Sequence, residues 1–135
     1  WALGMRFLEH SMRAAAVQVE GGRFFAFEHP ASASSWKQVC TQTVKAMPGV
    51  QTVEFDQCML GLVSKVTRTP MKKRTRVMTN CPMLVDMLRP FQCDRSHVHE
   101  KIQGSEGGCK RSVWAQFYPA PFVKVLVDAA YRVHM

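Results

Sequence analysis

The chain has 135 residues, of which 47% are hydrophobic and 21% charged, with 18 Lys+Arg against 10 Asp+Glu and a net charge of +8. That length suits one domain able to bury most of its apolar surface, and the apolar fraction excludes a disordered basic tail. No run approaches the roughly 20 apolar residues of a membrane span. Arg6, Glu9, His10 and Arg13 interrupt every candidate signal-peptide core. Because the chain opens on Trp1 within a helical pattern, it is read as a piece of a longer chain.

Leu3, Phe7, Leu8, Met12, Ala15, Ala16 and Val19 recur at helical spacing and predict an amphipathic helix closed by Gly21-Gly22. The apolar run Phe24-Phe25-Ala26-Phe27 predicts a strand from Arg23, covered on both faces as in a parallel sheet and ended by Glu28-His29-Pro30. Ser34 or Ser35 can cap a helix to Ala46, stopped by Pro48-Gly49. Strands are expected over 50–55 and 75–79, with a basic loop over 61–72 between them. Pro82 starts a short helix through Leu88. Residues 90–112 read as irregular, with Gly104 to Gly108 a flexible loop. From Pro121 the apolar positions 122, 123, 126, 127, 130 and 131 form the stripe of a last helix. This order predicts a layered α/β domain over residues 1–135.

Charge is concentrated. Lys65, Arg68, Lys72, Lys73, Arg74 and Arg76 stand between Gln57 and Val85 with no acid among them, so +6 of the +8 lies in one segment. Such a cluster is either a solvated loop or a phosphate-contacting patch, the latter giving weak, salt-dependent nucleic-acid binding. The five cysteines (40, 58, 81, 93, 109) include no Cys-x-x-Cys pair and fit reduced thiols in an intracellular protein, cytoplasmic or nuclear. Cys93, His97 and His99, with Cys81 or Cys109, offer four zinc ligands of suitable softness. Their spacing matches no standard finger, and on a strand His97 and His99 would point oppositely, so a polar loop with scattered thiols is the expectation. A small zinc-stabilised interaction module is the alternative. Glu28, a carboxylate ending an apolar strand, is the strongest single candidate for contact with a substrate's polar edge.

Segments GRFFAFEHPASASSW, FDQCMLGL, KKRTRVMTN, CDRSHVH and AQFYPAPFVKVLVDAA carry a resemblance, over roughly residues 18–131, to a domain of copia-type retroelement polyproteins and related orphan proteins. More distantly, the order resembles the C-terminal half of DNA (cytosine-5) methyltransferases. Phe27-Glu28-His29-Pro30 stands where that family has Glu-Asn, Leu60-Gly61 where it has Tyr-Gly, and Lys73 to Val77 where it has an Arg-rich strand. This second resemblance implies a partial Rossmann-like, three-layer sheet with a C-terminal helix. It also implies Glu28 on a flipped base, with Arg74 or Arg76 near the active site. The family's S-adenosylmethionine site and Pro-Cys nucleophile precede this region, so they would lie upstream in a parent polyprotein. The chain alone is then expected to bind no cofactor and catalyse nothing, its partners being nucleic acid and the rest of the polyprotein, with no membrane.

Overall fold

A computed structural model describes residues 1–134. Helix α1, Ala2–Glu20, is followed by strand β1, Ala26–Pro30. The 3-10 turn Ser34–Lys37 leads into α2, Val39–Lys45, and then β2, Gln51–Asp56. After the 3-10 turn Gln57–Leu60 and a long excursion come β3, Arg74–Thr79, and α3, Pro82–Leu88. The C-terminal part holds a hairpin, β4 Ser105–Glu106 and β5 Cys109–Lys110, then α4, Arg111–Trp114, and α5, Ala120–His134.

The glycine pair ends α1 as its sequence demands. Gly22 adopts φ +68°, its amide donates to Val19 O at 3.1 Å, and the Arg23 amide donates to Gln18 O at 2.8 Å. That is a Schellman closure, which leaves Arg23 to Phe25 as a connector and delays β1 to Ala26. The expected start of the strand at Arg23 is corrected accordingly.

The sheet has the order β1-β3-β2 and both pairings are antiparallel. The α/β class holds, but the parallel Rossmann-like sheet does not form. β1 and β2 do run in the same direction and are joined through α2, yet β3 inserts between them. The result is a split β-α-β unit. β1 is therefore an edge strand with partly exposed residues, which is where Pro30 is tolerated.

The register sorts side chains onto two faces, since neighbours across a ladder share a face. Glu28, Val77 and Val53 align on one face, and His29, Arg76 and Glu54 on the other. Val53, Phe55 and Val77 pack with Leu84, Val85 and Leu88 of α3 and Phe122, Val125 and Ala129 of α5. Phe122, 0% exposed, meets Phe55 edge-to-face with ring centroids 5.1 Å apart. Met78, on the other face, joins Leu8, Met12, Ala15, Trp36 and Val44 from α1 to α2. Helices thus cover both faces of the central strand β3, whose Val77 and Met78 enter different cores.

Two loops are more ordered than their composition suggests. Gly107 and Gly108 take φ +55° and +72° between β4 and β5, the two left-handed positions a tight two-residue hairpin requires. That replaces the expected flexible loop. Residues 63–70 form a second reversal, closed by the Val63–Pro70 bridge. There the Ser64 amide donates to Thr69 O at 2.9 Å, and the Ser64 and Thr67 hydroxyls bond to each other. No described helix is long and apolar enough to cross a membrane.

Candidate metal centre and basic groove

Where β2 ends, Asp56 organises its surroundings. Its amide donates to Phe91 O at 2.8 Å, and its Oδ2 accepts from the Cys93 amide at 2.8 Å and from Arg74 Nη1 at 3.0 Å. Gln92 adds a bond from its side-chain amide to Glu54 O at 2.7 Å. Residues 91–93 are thereby held beside β2, which fixes Cys93 next to the turn carrying Cys58. That turn is anchored by Gln57, fully buried, whose Nε2 donates to Thr75 Oγ1 at 2.8 Å.

The chain then reverses sharply. Asp94 Oδ1 accepts from the Ser96 amide at 3.0 Å and its hydroxyl at 2.6 Å, and Arg95 takes φ +59°. An aspartate bonding two residues ahead is the usual device for such a turn. Its consequence corrects the strand geometry assumed above: His97 and His99 do not diverge. Cys93 Sγ lies 3.6 Å from Nε2 of His97 and 3.6 Å from Nε2 of His99, and the two nitrogens are 3.1 Å apart. Beyond them the Glu100 amide donates to Pro70 O at 2.8 Å, tying down the far end of the segment.

The fourth donor is Cys58, 8% exposed. Its Sγ and the donor atoms of Cys93, His97 and His99 all lie within 4.8 Å of one another. Neither sequence candidate for this place reaches it. Cys81 is buried in the α3–α5 core, and the Cys109 thiol donates to Lys110 O at 3.4 Å in the small hairpin. Cys58 escaped sequence reasoning because its proximity to Cys93 arises from β2 pairing, not from local spacing. For a tetrahedral ion with metal–sulfur bonds of about 2.3 Å and metal–nitrogen bonds of about 2.05 Å, the edges are about 3.6 Å for S–N and about 3.3 Å for N–N. The three separations among Cys93, His97 and His99 match those edges, and Cys58 Sγ lies within 4.8 Å of each of these donors. Burial pushes the Cys58 thiol up to about 12, with the hydrogen bond to Cys93 and the charges of Cys93 and Asp56 adding to it. A cation held by these four residues would favour the Cys58 thiolate, since a coordinating thiol gives up its proton.

Of the six clustered cations, Arg74 and Arg76 are neutralised. Arg74 Nη1 is 3.0 Å from Asp56 and its Nε 3.5 Å from Glu54, while Arg76 Nη2 is 3.4 Å from Glu54 and its guanidinium sits 5.0 Å over Trp36. Cross-strand acids outside the sequence window cancel part of its charge. Lys73 Nζ donates to Ala115 O at 2.8 Å and Lys65 Nζ to Gly107 O at 3.1 Å, neither with an acidic partner among the described residues. Arg68 and Lys72 are exposed and form no ion pair among the described residues.

Lys72, Lys73 and Arg74 line a cleft of about 740 Å³ between the Pro30–Ser32 turn and α4. Lys72 and Arg74 also line a smaller cleft of about 310 Å³ with Asp56, Cys93, Arg95 and His99. The two clefts share Lys72 and Arg74, and the smaller one reaches the Cys/His cluster through Cys93 and His99. Lys72, Lys73, Arg74 and Arg95 line these clefts; Arg74 is paired with Asp56 and Glu54, which leaves Lys72, Lys73 and Arg95 without an acidic partner among the described residues.

Glu28 lies elsewhere. Tyr118 donates to Glu28 Oε2 at 2.6 Å, while Oε1 is buried with no partner. Burial raises the Tyr118 hydroxyl well above its ordinary range, and the bond to Glu28 and its charge raise it further. Glu28 and the pair Arg74 and Arg76 occupy opposite faces of the sheet, so the residues implied by the methyltransferase resemblance do not converge. Among known proteins, the chain matches no family model, no curated protein and no solved structure.

Proposed function

We propose that this chain is a zinc-organised nucleic-acid-binding module, in which Cys58, Cys93, His97 and His99 hold one structural zinc ion beside a phosphate-binding groove. The observation that carries the reading is the convergence of four Cys and His donors within 4.8 Å of one another, Cys58 from the turn after β2 and the other three from the loop whose Cys93 and His99 also wall a basic cleft. Four protein ligands close the coordination sphere, which suits a structural role and leaves no open position for a substrate. The ion's task is to lock residues 94–99 against the turn that carries Cys58 and so fix Arg95 relative to Lys72 and Lys73. Those cations attract a phosphate backbone by counterion release. The resemblance to a domain of retroelement polyproteins supports a nucleic-acid partner. None of Glu28, Arg74 or Arg76 is assigned a catalytic role.

The test is metal content and nucleic-acid affinity measured on the same preparation. Protein purified under reducing conditions should carry one zinc per chain. Chelation should weaken oligonucleotide binding, and replacing Lys72 and Lys73 by Ala should flatten the dependence of affinity on salt. Metal-free protein that binds nucleic acid undiminished would overturn the coupling, and an unchanged salt slope would overturn the groove.

A further inference from the structure

A third cleft, of about 360 Å³, opens on the other side of α4, with Arg68, Trp114, Phe117, Tyr118, Pro119 and Pro121 in its wall. Its parts are built, not incidental. Trp114 Nε1 donates to Val63 O at 2.8 Å, which pins the indole to the 63–70 reversal. Lys65 Nζ stands 6.0 Å from the centroid of the same ring. Tyr118 is held at both ends, its hydroxyl on Glu28 and its ring stacked on the buried Phe122 at 4.9 Å and 17°. Phe117, 6.5 Å from Trp114, is 67% exposed and adds nothing to either main core. Arg68, held at φ +59° at the tip of the reversal, closes the rim with no acidic partner among the described residues.

Scattered exposed apolar side chains need no explanation, but three aromatics gathered in one cleft with Arg68 in its wall, and a second cation, Lys65, near the Trp114 ring, do. Aromatic faces combined with cations are what unpaired bases require, since every base offers a π-face and every nucleotide a phosphate. A duplex keeps its bases stacked inside and cannot use such a ledge. We infer that the Trp114–Phe117–Tyr118 ledge stacks unpaired bases, making single-stranded nucleic acid the preferred ligand. This rests on the nucleic-acid reading above and deepens it. The backbone follows the cations of the 65–73 segment, Arg68 in the wall of the ledge, Lys65 beside the Trp114 ring, and Lys72 and Lys73 in the basic cleft.

The experiment compares a fluorescent oligo-thymidine with a hairpin duplex, by anisotropy, on the full chain as purified under reducing conditions. Phe117→Ala, at an exposed site that leaves both main cores intact, should weaken single-strand binding by roughly 5- to 100-fold while leaving its salt slope and the duplex affinity unchanged. Arg68→Gln should lower the single-strand slope by about 0.7. Equal losses on both ligands, or none on the single strand, overturn the ledge and leave the groove standing. Failure of both ligands to bind removes the groove as well. Phe117-dependent capture of an acidic peptide, with no oligonucleotide binding, overturns the inference in favour of a protein partner.

Discussion

Removing zinc should loosen the molecule by an amount that can be worked out in advance. A ligand that binds only the folded state at about 1,000 times its Kd adds about 4.1 kcal/mol. With 135 residues and about 2.1 cal/mol/K of unfolding entropy each, one kcal/mol corresponds to about 3.5 °C, so zinc should raise Tm by about 14 °C over chelated protein. The structure locates that gain. Phe91 packs against the α3–α5 core and residues 91–93 are bonded to β2 without metal, whereas neither main core includes residues 94–99, so the metal-free chain keeps its sheet and helices and loses order mainly over residues 94–99. Differential scanning calorimetry with and without chelator reads the shift, and amide hydrogen exchange reads its location. Cys58→Ser and His97→Ala should abolish the response, while Cys109→Ser should retain it. A zinc response under about 2 °C in the parent chain, or one that survives Cys58→Ser but not Cys109→Ser, refutes the ligand assignment.

Three further outcomes follow from the packing. Phe122→Ala empties the centre of the α3–α5 core and should cost about 3–5 kcal/mol, read as a fall in the urea midpoint with an unchanged m-value. Tyr118→Phe takes the one donor from Glu28, whose other oxygen already lacks a partner, and should destabilise by about 1–3 kcal/mol; an equal loss for Tyr118→Phe in a Glu28→Leu background, which has no acceptor, would show that the bond is not the cause. Burial lowers the pKa of His29 below its ordinary value against the opposing charge of Glu28, so the fold favours the neutral imidazole. Its contribution is complete above the unfolded pKa of about 6.5 and is lost as pH falls through the lower folded value. His29→Gln, compared with the parent in metal-free protein, should therefore flatten part of the acid-side fall in stability, and equal acid slopes would contradict this.

The helices were readable because their signals are local. Leu8, Met12 and Ala15 share the buried face of α1, Gly21-Gly22 closes it, and Pro82 opens α3 at the expected residue. The sheet was misread because strand direction is a non-local property. The Phe24–Phe27 run looks like a strand buried on both faces. In fact Phe24 remains exposed before β1, and the β1 partner is a strand some 50 residues later in the chain. The site shows the same division. Cys93, His97 and His99 were identifiable from softness and proximity, and the Asp94-to-Ser96 bond that folds them together is a turn signal present in the sequence. Cys58 was not identifiable, since only the pairing of β2 and the seating of residues 91–93 bring it close. The basic cluster was visible as charge, but Glu54 and Asp56, which cancel Arg74 and Arg76, lie just outside the acid-free window.

The zinc site can be tested by X-ray absorption at the zinc edge of the purified full chain. The expected first shell contains two sulfur atoms at about 2.3 Å and two nitrogen atoms at about 2.0–2.1 Å, and Cys58→Ser should remove one of the sulfurs or the metal altogether. A shell of nitrogen and oxygen alone, or protein that takes up no zinc under reducing conditions, would contradict the account.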